Sequence, residues 1–496
     1  MAETPEQTLD PDDWDVIRRI GHSMVDDMVR YLSTVRERKA WQPVPDDVRR
    51  ELAAPLPLAP QGLEQTYADF KRWVLPYPTG NIHPRFWGWV MGSGTAGAML
   101  ADMLAAAMNS SPAGFDDASR LVELQVLDWF KELMGFPAGA GGLLVTGGSM
   151  ANIVALAVAR NAQAGFDLRR KGVGGASGPL TLYASDQVHS SNLKAAELLG
   201  LGSEALRLLP ADGEYRLDLK ALREALAADR AAGCVPLAVI ANAGSVNTGA
   251  IDDIAGLADL CRDEGLWLHV DGAFGALAAL SPKLRPLLAG LERADSLAFD
   301  LHKWGYLPYD VGCVLVRDAE LQRATFTFNA EYLAPVTGGI WAAEPKFADR
   351  GPLLSRGFRA LKIWMAFKEH GVEAFGRLIE QNVEQAAYLR ARVEARSELE
   401  VVAPAPLNVV CFRYNGGLAE ERLDELNAAL LVRLQESGLA VPSSTHVGGR
   451  LALRAAITNH RSRREDFDLL VREVTRLGDE LARAPRSEGA SKGEGR

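Results

Sequence analysis

Lys303 stands just past an apolar run, Ser296–Phe299, in the stretch Phe299-Asp300-Leu301-His302-Lys303-Trp304. The run reads as a short buried strand, and an ammonium buried without a partner is costly. A lone lysine so placed would sooner snorkel its charge out to water. A desolvated lysine has a second use, which is to form a Schiff base with an aldehyde. Upstream, another strand-like segment, Leu266-Trp267-Leu268-His269-Val270-Asp271, ends in an acid. A buried carboxylate is as expensive as a buried lysine unless it faces a cation, and a protonated pyridine nitrogen is such a cation. A Schiff-base lysine with an aspartate on the pyridinium nitrogen is the recurring arrangement for pyridoxal phosphate (PLP). The aspartate keeps the ring protonated, so that the ring accepts electrons from a carbanion at the substrate's alpha carbon.

Other residues bear on the same chemistry. Thr146-Gly147-Gly148-Ser149 follows a strand-like run and opens a helical one. Glycines there let backbone N–H groups approach a phosphate, and the helix dipole favours the anion. His189, in Ser185-Asp-Gln-Val-His189-Ser-Ser191, is by itself a hydrogen-bonded turn histidine. Its place beyond a strand end also suits an imidazole stacked on a cofactor ring. His302 is within reach of a phosphate as a donor. Asp300 is less comfortable there, since a carboxylate repels a phosphate unless it binds a donor. Asn242, Ser245, Asn247 and Thr248 follow the run Leu237–Ala241; they either hydrogen-bond Asp271 or the ring hydroxyl, or cap a turn.

These residues need a scaffold that brings strand ends together. From Gly142 onward, apolar runs at Leu143–Thr146, Leu180–Ala184, Leu206–Leu209, Leu237–Ala241, Trp267–Val270, Ser296–Phe299 and Val311–Val316 alternate with helical patterns at Met150–Arg160, Ser191–Leu199, Leu217–Ala227 and Ile254–Glu264. Such alternation predicts a mostly parallel, doubly wound α/β domain. Ligands bind in such sheets beyond the carboxyl ends of the strands. Asp271 and Lys303 both fall there.

The flanks read differently. Asp10-Pro11 and the spacing of Trp14, Ile17, Ile20, Met24, Met28 and Tyr31 predict a helix from Asp10 to Arg38. Residues 41–60, rich in proline and aspartate, suit an extended arm. The stretch 83–94 gathers Phe86, Trp87 and Trp89 with glycines, as a pocket wall would; burial in a core is the alternative. Helices follow at Met99–Met108 and Ser119–Leu133, and another from Gly357 to about Val393. Residues 327–351 form a long aperiodic connection, more often a functional lid than filler. A smaller α/β region spans 399–481, with strands near Val409–Tyr414 and Leu451–Ile457.

Composition bounds the class. Of 496 residues, 48% are apolar and 24% charged, as in an ordinary soluble enzyme. A net charge of −10 with no basic stripe argues against a nucleic-acid surface. No apolar stretch is long enough to span a bilayer. The acidic N-terminus lacks a secretory pattern, and four scattered cysteines have no metal-ligand spacing. Both point to a cytoplasmic protein with reduced thiols and no metal site.

The motifs in order resemble the group II PLP-dependent amino acid decarboxylases, the family of aromatic amino acid and glutamate decarboxylases. The resemblance runs from His83-Pro84-Arg85-Phe86-Trp87 through Asp186–Ser191, His269-Val270-Asp271 and His302-Lys303-Trp304 to Arg356–Trp364 and Leu453–Ile457. It implies PLP fold-type I, similar to aspartate aminotransferase. The implied units are an N-terminal helical, dimer-embracing segment (1–85), a large PLP-binding domain (86–365), a C-terminal small domain (366–484) and a disordered tail (485–496). By the same resemblance Lys303 carries the cofactor, Asp271 faces the pyridine nitrogen, and His189 stacks on the ring. Gly147, Gly148 and Ser149 hold the phosphate with His302 assisting, and Asn242 and Asp300 join the cofactor site.

Tyr332, in Ala330-Glu331-Tyr332-Leu333, matches the tyrosine that protonates the product carbanion in the family. Relatives that replace it release aldehyde by oxidation, so its presence implies simple decarboxylation to an amine. The family is a homodimer with active sites at the interface. Three stretches depart from the animal enzymes: the loop 334–350, Gly272 in place of alanine, and Trp89-Val90-Met91-Gly92. Phe86, Trp87 and Trp89 lining an apolar pocket would favour an aromatic substrate of the Trp, Tyr, Phe or DOPA type. An acidic amino acid or an oxidative aldehyde synthase is the alternative. Arg454 matches an arginine near the substrate carboxylate of the glutamate enzymes and either has that role or is structural.

Overall fold

The computed structural model describes residues 7–328, 339–341 and 343–483. Seven strands form the central sheet: β1 (Gly141–Val145), β2 (Leu180–Ser185), β3 (Leu206–Leu209), β4 (Val235–Asn242), β5 (Trp267–Asp271), β6 (Ser296–Asp300) and β7 (Gly312–Val316). Their order is β1-β7-β6-β5-β4-β2-β3. Strands β6, β5, β4, β2 and β3 run parallel, and β7 is antiparallel to both β6 and β1. Every residue of β1, β2, β5, β6 and β7 is buried. A sheet covered on both faces has no solvent side towards which to alternate, which is why these strands read as unbroken apolar runs. Pairing across β4, β5 and β6 sets Asn242 beside Asp271 and Asp271 beside Ala298. The polar ends of neighbouring strands therefore come out on one rim.

The helix Gly148–Gln163 crosses from β1 and packs over β4, β5, β6 and β7. Its alanines at 151, 155, 157 and 159 are buried and small enough for close approach. Helix Ile254–Glu264 has the bounds its apolar spacing predicts, from an Asp253 side-chain cap to Gly265 in the left-handed region.

Two helices differ from expectation. The first begins at Trp14, because the Asp13 side chain, not that of Asp10, accepts from a first-turn N–H; it ends at Ser33, followed by a 3-10 turn at Val35–Glu37. The long helix expected from 357 is two, Ala360–His370 and Val372–Glu394, broken where Gly371 takes φ 72°. The segment expected to be an extended arm contains a short helix, Asp46–Leu52.

Four antiparallel strands build a second sheet: β8 (Leu399–Val401), β9 (Val409–Tyr414), β10 (Ser443–Val447) and β11 (Arg450–Ala456), in the order β10-β11-β9-β8. Helices Val372–Glu394, Glu420–Glu436 and Arg464–Arg483 pack on it around a separate core that includes Phe412, Leu430 and Phe467. The stretch 83–94 ties this unit to the large sheet. Trp87 N–H donates to Val441 O and Trp87 O accepts from Ala456 N–H, while Gly92 N–H donates to His302 O. A Cβ at Gly92 would strike the carbonyl oxygens of His302 and Lys303, so glycine is what lets this chain lie on the lysine loop.

Candidate active site

Asp271 closes β5. Its Oδ2 accepts from Asn152 Nδ2 at 2.8 Å and Asn192 Nδ2 at 2.7 Å, and its Oδ1 from Ala273 N–H at 3.2 Å. All three donors are neutral, so they satisfy the buried carboxylate while leaving its charge for a cation outside the protein's own groups. Gly272 is as tight as its neighbourhood requires: a Cβ there would come 2.5 Å from the Ala276 methyl.

Lys303 follows β6 on the same rim. Its side chain is 22% exposed and its Nζ lies 2.9 Å from Asp300 Oδ2. Asp300 is buried, and its Oδ1 has no hydrogen-bond partner among the described residues. The lysine is thus the donor that makes this carboxylate tolerable, as the sequence left open.

Lys303 and Asp300 open on a cavity of about 330 Å³ lined also by Gly147, Gly148, Ser149, Asn152, His189 and His302, with Asp271 behind Asn152. Gly147 caps the helix Gly148–Gln163 with no side-chain hydrogen bond, which leaves the first backbone N–H groups to the cavity. A Cβ at Gly148 would stand 2.9 Å from Asp300 Oδ2, and one at Gly147 2.9 Å from His302 Cε1. His302 Nδ1 accepts from Val311 N–H at 3.1 Å, so the proton of the neutral ring sits on Nε2. Burial holds its pKa below the ordinary histidine value. A helix N-terminus, a glycine cradle and an imidazole N–H fit a phosphate; an amine and a buried carboxylate on the same rim fit the aldehyde and the ring nitrogen. The residues present therefore fit PLP.

His189 caps the helix Ser190–Leu198, its Nδ1 accepting from Ser191 N–H at 3.2 Å and lying 2.8 Å from Ser191 Oγ. Burial lowers its pKa as well. Asn242 does not line the cavity: its backbone N–H and Nδ2 both donate to Asp252 Oδ2. Ser245 and Thr248 bond each other at 3.1 Å within their turn, and Asn247 Nδ2 reaches Gln187. Of the two readings for this loop, these bonds are those of a capped turn.

The expected apolar pocket wall is mostly core. Phe86 packs with Ala40 and Val441, and Trp87 stacks on Phe467 at 4.9 Å with its indole N–H on Ser462 Oγ. Both are buried, Trp87 in the small-sheet core and Phe86 in a small cluster of its own, as the alternative of burial in a core has it. Trp89 remains open, 55% exposed with φ 52°. Its N–H donates to Ser443 Oγ and its carbonyl accepts from Arg454 Nη1 at 3.2 Å. Arg454 also donates to Asn247 O, is buried, and has its pKa lowered by burial to about 10. Its Nε and Nη1 hold backbone carbonyls and Ser443 Oγ, while Nη2 is buried with no partner among the described residues. Tyr332 and residues 334–338 of the connecting loop lie outside the described residues, as does the tail from 484.

Asn152, Asn192 and Tyr309 were not read from the sequence. Tyr309 lies against His302 with ring centres 4.5 Å apart. Asn152 had a signal: a lone amide in the apolar run Ala151-Asn152-Ile153-Val154-Ala155 must find a buried partner.

Comparison with known proteins gives the same chemistry. The family model described as the pyridoxal-dependent decarboxylase conserved domain matches residues 45–415. An aromatic-L-amino-acid decarboxylase of Bacillus atrophaeus is 34% identical, covering 94% of this chain and 96% of its own. A phenylacetaldehyde synthase of Petunia hybrida is 28% identical, over 90% and 91% of the two chains. The crystal structure of Oryza sativa TDC with PLP and tryptamine superposes with a TM-score of 0.87 at 30% identity, over 96% of this chain and 100% of that one.

Proposed function

The chain belongs to the pyridoxal-dependent decarboxylase family, and from that premise we propose that it converts an aromatic L-amino acid to its amine and carbon dioxide. The observation that carries the reading is Lys303 on a cavity with a glycine-lined helix N-terminus, and Asp271 directly behind its Asn152 wall at the end of the neighbouring strand. PLP, when bound, supplies an electron sink for the bond that loses carbon dioxide. Lys303 would hold the cofactor through its aldehyde, its Nζ kept at the cavity by Asp300. Asp271, fixed by Asn152 and Asn192, presents its charge to the ring nitrogen. Gly147, Gly148, Ser149 and His302 Nε2–H bind the phosphate and so set the ring's register. His189, on the cavity wall, would pack over the ring, and Tyr332 would deliver a proton to the substrate's alpha carbon.

Trp89, exposed beside Phe86 at 6.1 Å between ring centres, supports an aromatic substrate, and the rice structure carries tryptamine. We place the working form as a homodimer in the cytoplasm. Exposed Met103, Leu104 and Met108 on one helix with Leu121 on the next support a covered face, and the four cysteines are free. Light scattering giving a monomer at working concentration would remove the dimer.

Purified protein with added PLP, incubated with the common L-amino acids plus DOPA and 5-hydroxytryptophan and read by mass spectrometry, tests the assignment. One aromatic amine supports it; an amine from glutamate or aspartate replaces the substrate class. The petunia relative favours a second reading, oxidative release of an aldehyde, which oxygen uptake and peroxide would reveal.

A further inference from the structure

Behind the cavity, a file of buried polar side chains runs from β5 to the rim. Trp267 Nε1 lies 2.8 Å from Ser296 Oγ, and Ser296 Oγ 2.9 Å from His269 Nδ1. His269 Nε2 lies 3.0 Å from Asn152 Oδ1. Asn152 Nδ2 then reaches both Asp271 Oδ2 at 2.8 Å and Ser191 Oγ at 3.1 Å. Ser191 Oγ in turn is 2.8 Å from His189 Nδ1.

The chemistry of its ends gives this file a direction. An indole N–H only donates, so Ser296 Oγ accepts from Trp267 and keeps its one proton and a second lone pair for His269 Nδ1. His269 is fully enclosed, and burial pulls its pKa from 6.5 to about 4, so the ring is neutral at physiological pH. Asn152, with Nδ2 on the Asp271 carboxylate, can only accept through Oδ1, so the His269 proton is on Nε2 and Nδ1 accepts from Ser296 Oγ. The amide then offers both its N–H groups forward, one to Asp271 and one to Ser191 Oγ. Read from the far end the direction is the same: a carboxylate accepts, and a flipped Asn152 would set its carbonyl against Asp271 Oδ2. Along the branch, Ser191 Oγ accepts from Asn152 and donates to His189 Nδ1, which also accepts Ser191 N–H. The His189 proton is thereby left on Nε2.

We infer that these side chains form one polarised hydrogen-bond chain, in which Trp267, Ser296 and His269 are positioning residues that fix Asn152 as a donor to Asp271 and present His189 to the cavity as an N–H donor. The amide orientation and both histidine tautomers are then one choice, shared along the chain from the Asp271 carboxylate to a buried indole that touches neither Asp271 nor His189. It follows that neutral His189 offers the cavity a proton and no lone pair. The meaning for catalysis rests on the proposed roles of Asp271 and His189; the direction of the chain does not.

The test is nuclear magnetic resonance of the full-length, cofactor-free protein carrying 15N-labelled histidine. His269 and His189 are both expected as neutral Nε2–H tautomers. An Nδ1–H tautomer or an imidazolium at neutral pH, at either ring, overturns the inference. Ser296→Ala is expected to displace the ring-nitrogen resonances of His269 and, through Asn152, those of His189. His302, held instead by Val311 N–H, is expected to stay in place. A Ser296→Ala protein in which His269 alone moves, or in which all three move together, also overturns it. No substrate or cofactor enters the measurement, so failure of the decarboxylase reading would leave this result standing, and the reverse.

Discussion

Lys303 Nζ rests 2.9 Å from Asp300 Oδ2, three residues back along its own chain, with the other oxygen of that carboxylate unpaired beside the glycines of the phosphate cradle. The pair satisfies the lysine before any aldehyde reaches it, and it sets a negative charge next to where a phosphate would sit. Asp300→Asn keeps the shape and removes that charge. The variant is expected to bind PLP about tenfold more tightly, a change of ~1.4 kcal/mol, while its affinity for pyridoxal, which has no phosphate, changes less. Absorbance titrations with the two aldehydes check this; equal or weaker PLP binding would show that Asp300 helps to hold the cofactor.

Lys303→Ala removes the amine that joins the cofactor aldehyde. Amine formation is expected to fall by at least about 10³-fold, the scale of losing a covalent catalytic group. Turnover is followed by mass spectrometry, and a variant of near wild-type activity would end the assignment.

Tyr332→Phe removes the proposed proton donor to the alpha carbon. Product is expected to shift from amine towards aldehyde, with oxygen consumed and peroxide released. An unchanged amine yield would take Tyr332 out of the mechanism.

Stability has its own hinge at Glu123 and Arg356, which form an ion pair with both side chains buried. Glu123 Oε1 also accepts Leu144 N–H from β1, and Arg356 donates to Leu144 O. Glu123→Gln leaves a buried guanidinium without its counter-charge, expected to cost about 3–5 kcal/mol. Urea midpoints of the two proteins measure it.

Acid should loosen the fold. Burial pulls His83, His269 and His460 each from 6.5 to about 4. A depressed histidine stabilises the fold above its unfolded value, and that contribution is lost as pH falls from 6.5 towards 4, worth ~3 kcal/mol for the fully enclosed His269. Asp252 works oppositely: burial raises it from 3.8 to about 6, so its contribution grows as pH falls through the same window. Five histidines held low, these three with His189 and His302, against three raised carboxyls, Asp252 with Asp102 and Asp295, give a net loss. The urea midpoint is expected to drop between pH 6.5 and 4.5, and a His460→Asn protein to lose less.

How far the sequence reaches is visible in particular residues. Each apolar run read as a strand became one, from Leu143 to Val316; for all but the edge strand β3, where Leu208 is exposed, burial on both faces writes itself locally as an apolar segment. Lys303 and Asp271 stood out for the same reason: a charged group at the end of a buried run has few inexpensive explanations. Their approach to one rim follows from parallel strands, which the alternation with helices already required.

Partners across the fold carry no such local mark. Trp87 lies in a glycine- and aromatic-rich stretch that suits a pocket, and Phe467, hundreds of residues away, draws it into a core. Asn242 and Arg454 lie in strands of the right kind, yet Asp252 claims the amide of the first, and the carbonyls of Trp89 and Asn247 take Nη1 and Nε of the second. The antiparallel place of β7, the amides of Asn152 and Asn192 on Asp271, and the file behind them from Trp267 were likewise decided in three dimensions. Burial is a property of a segment and can be read from it; which buried donor meets which acceptor depends on elements brought together only when the chain folds.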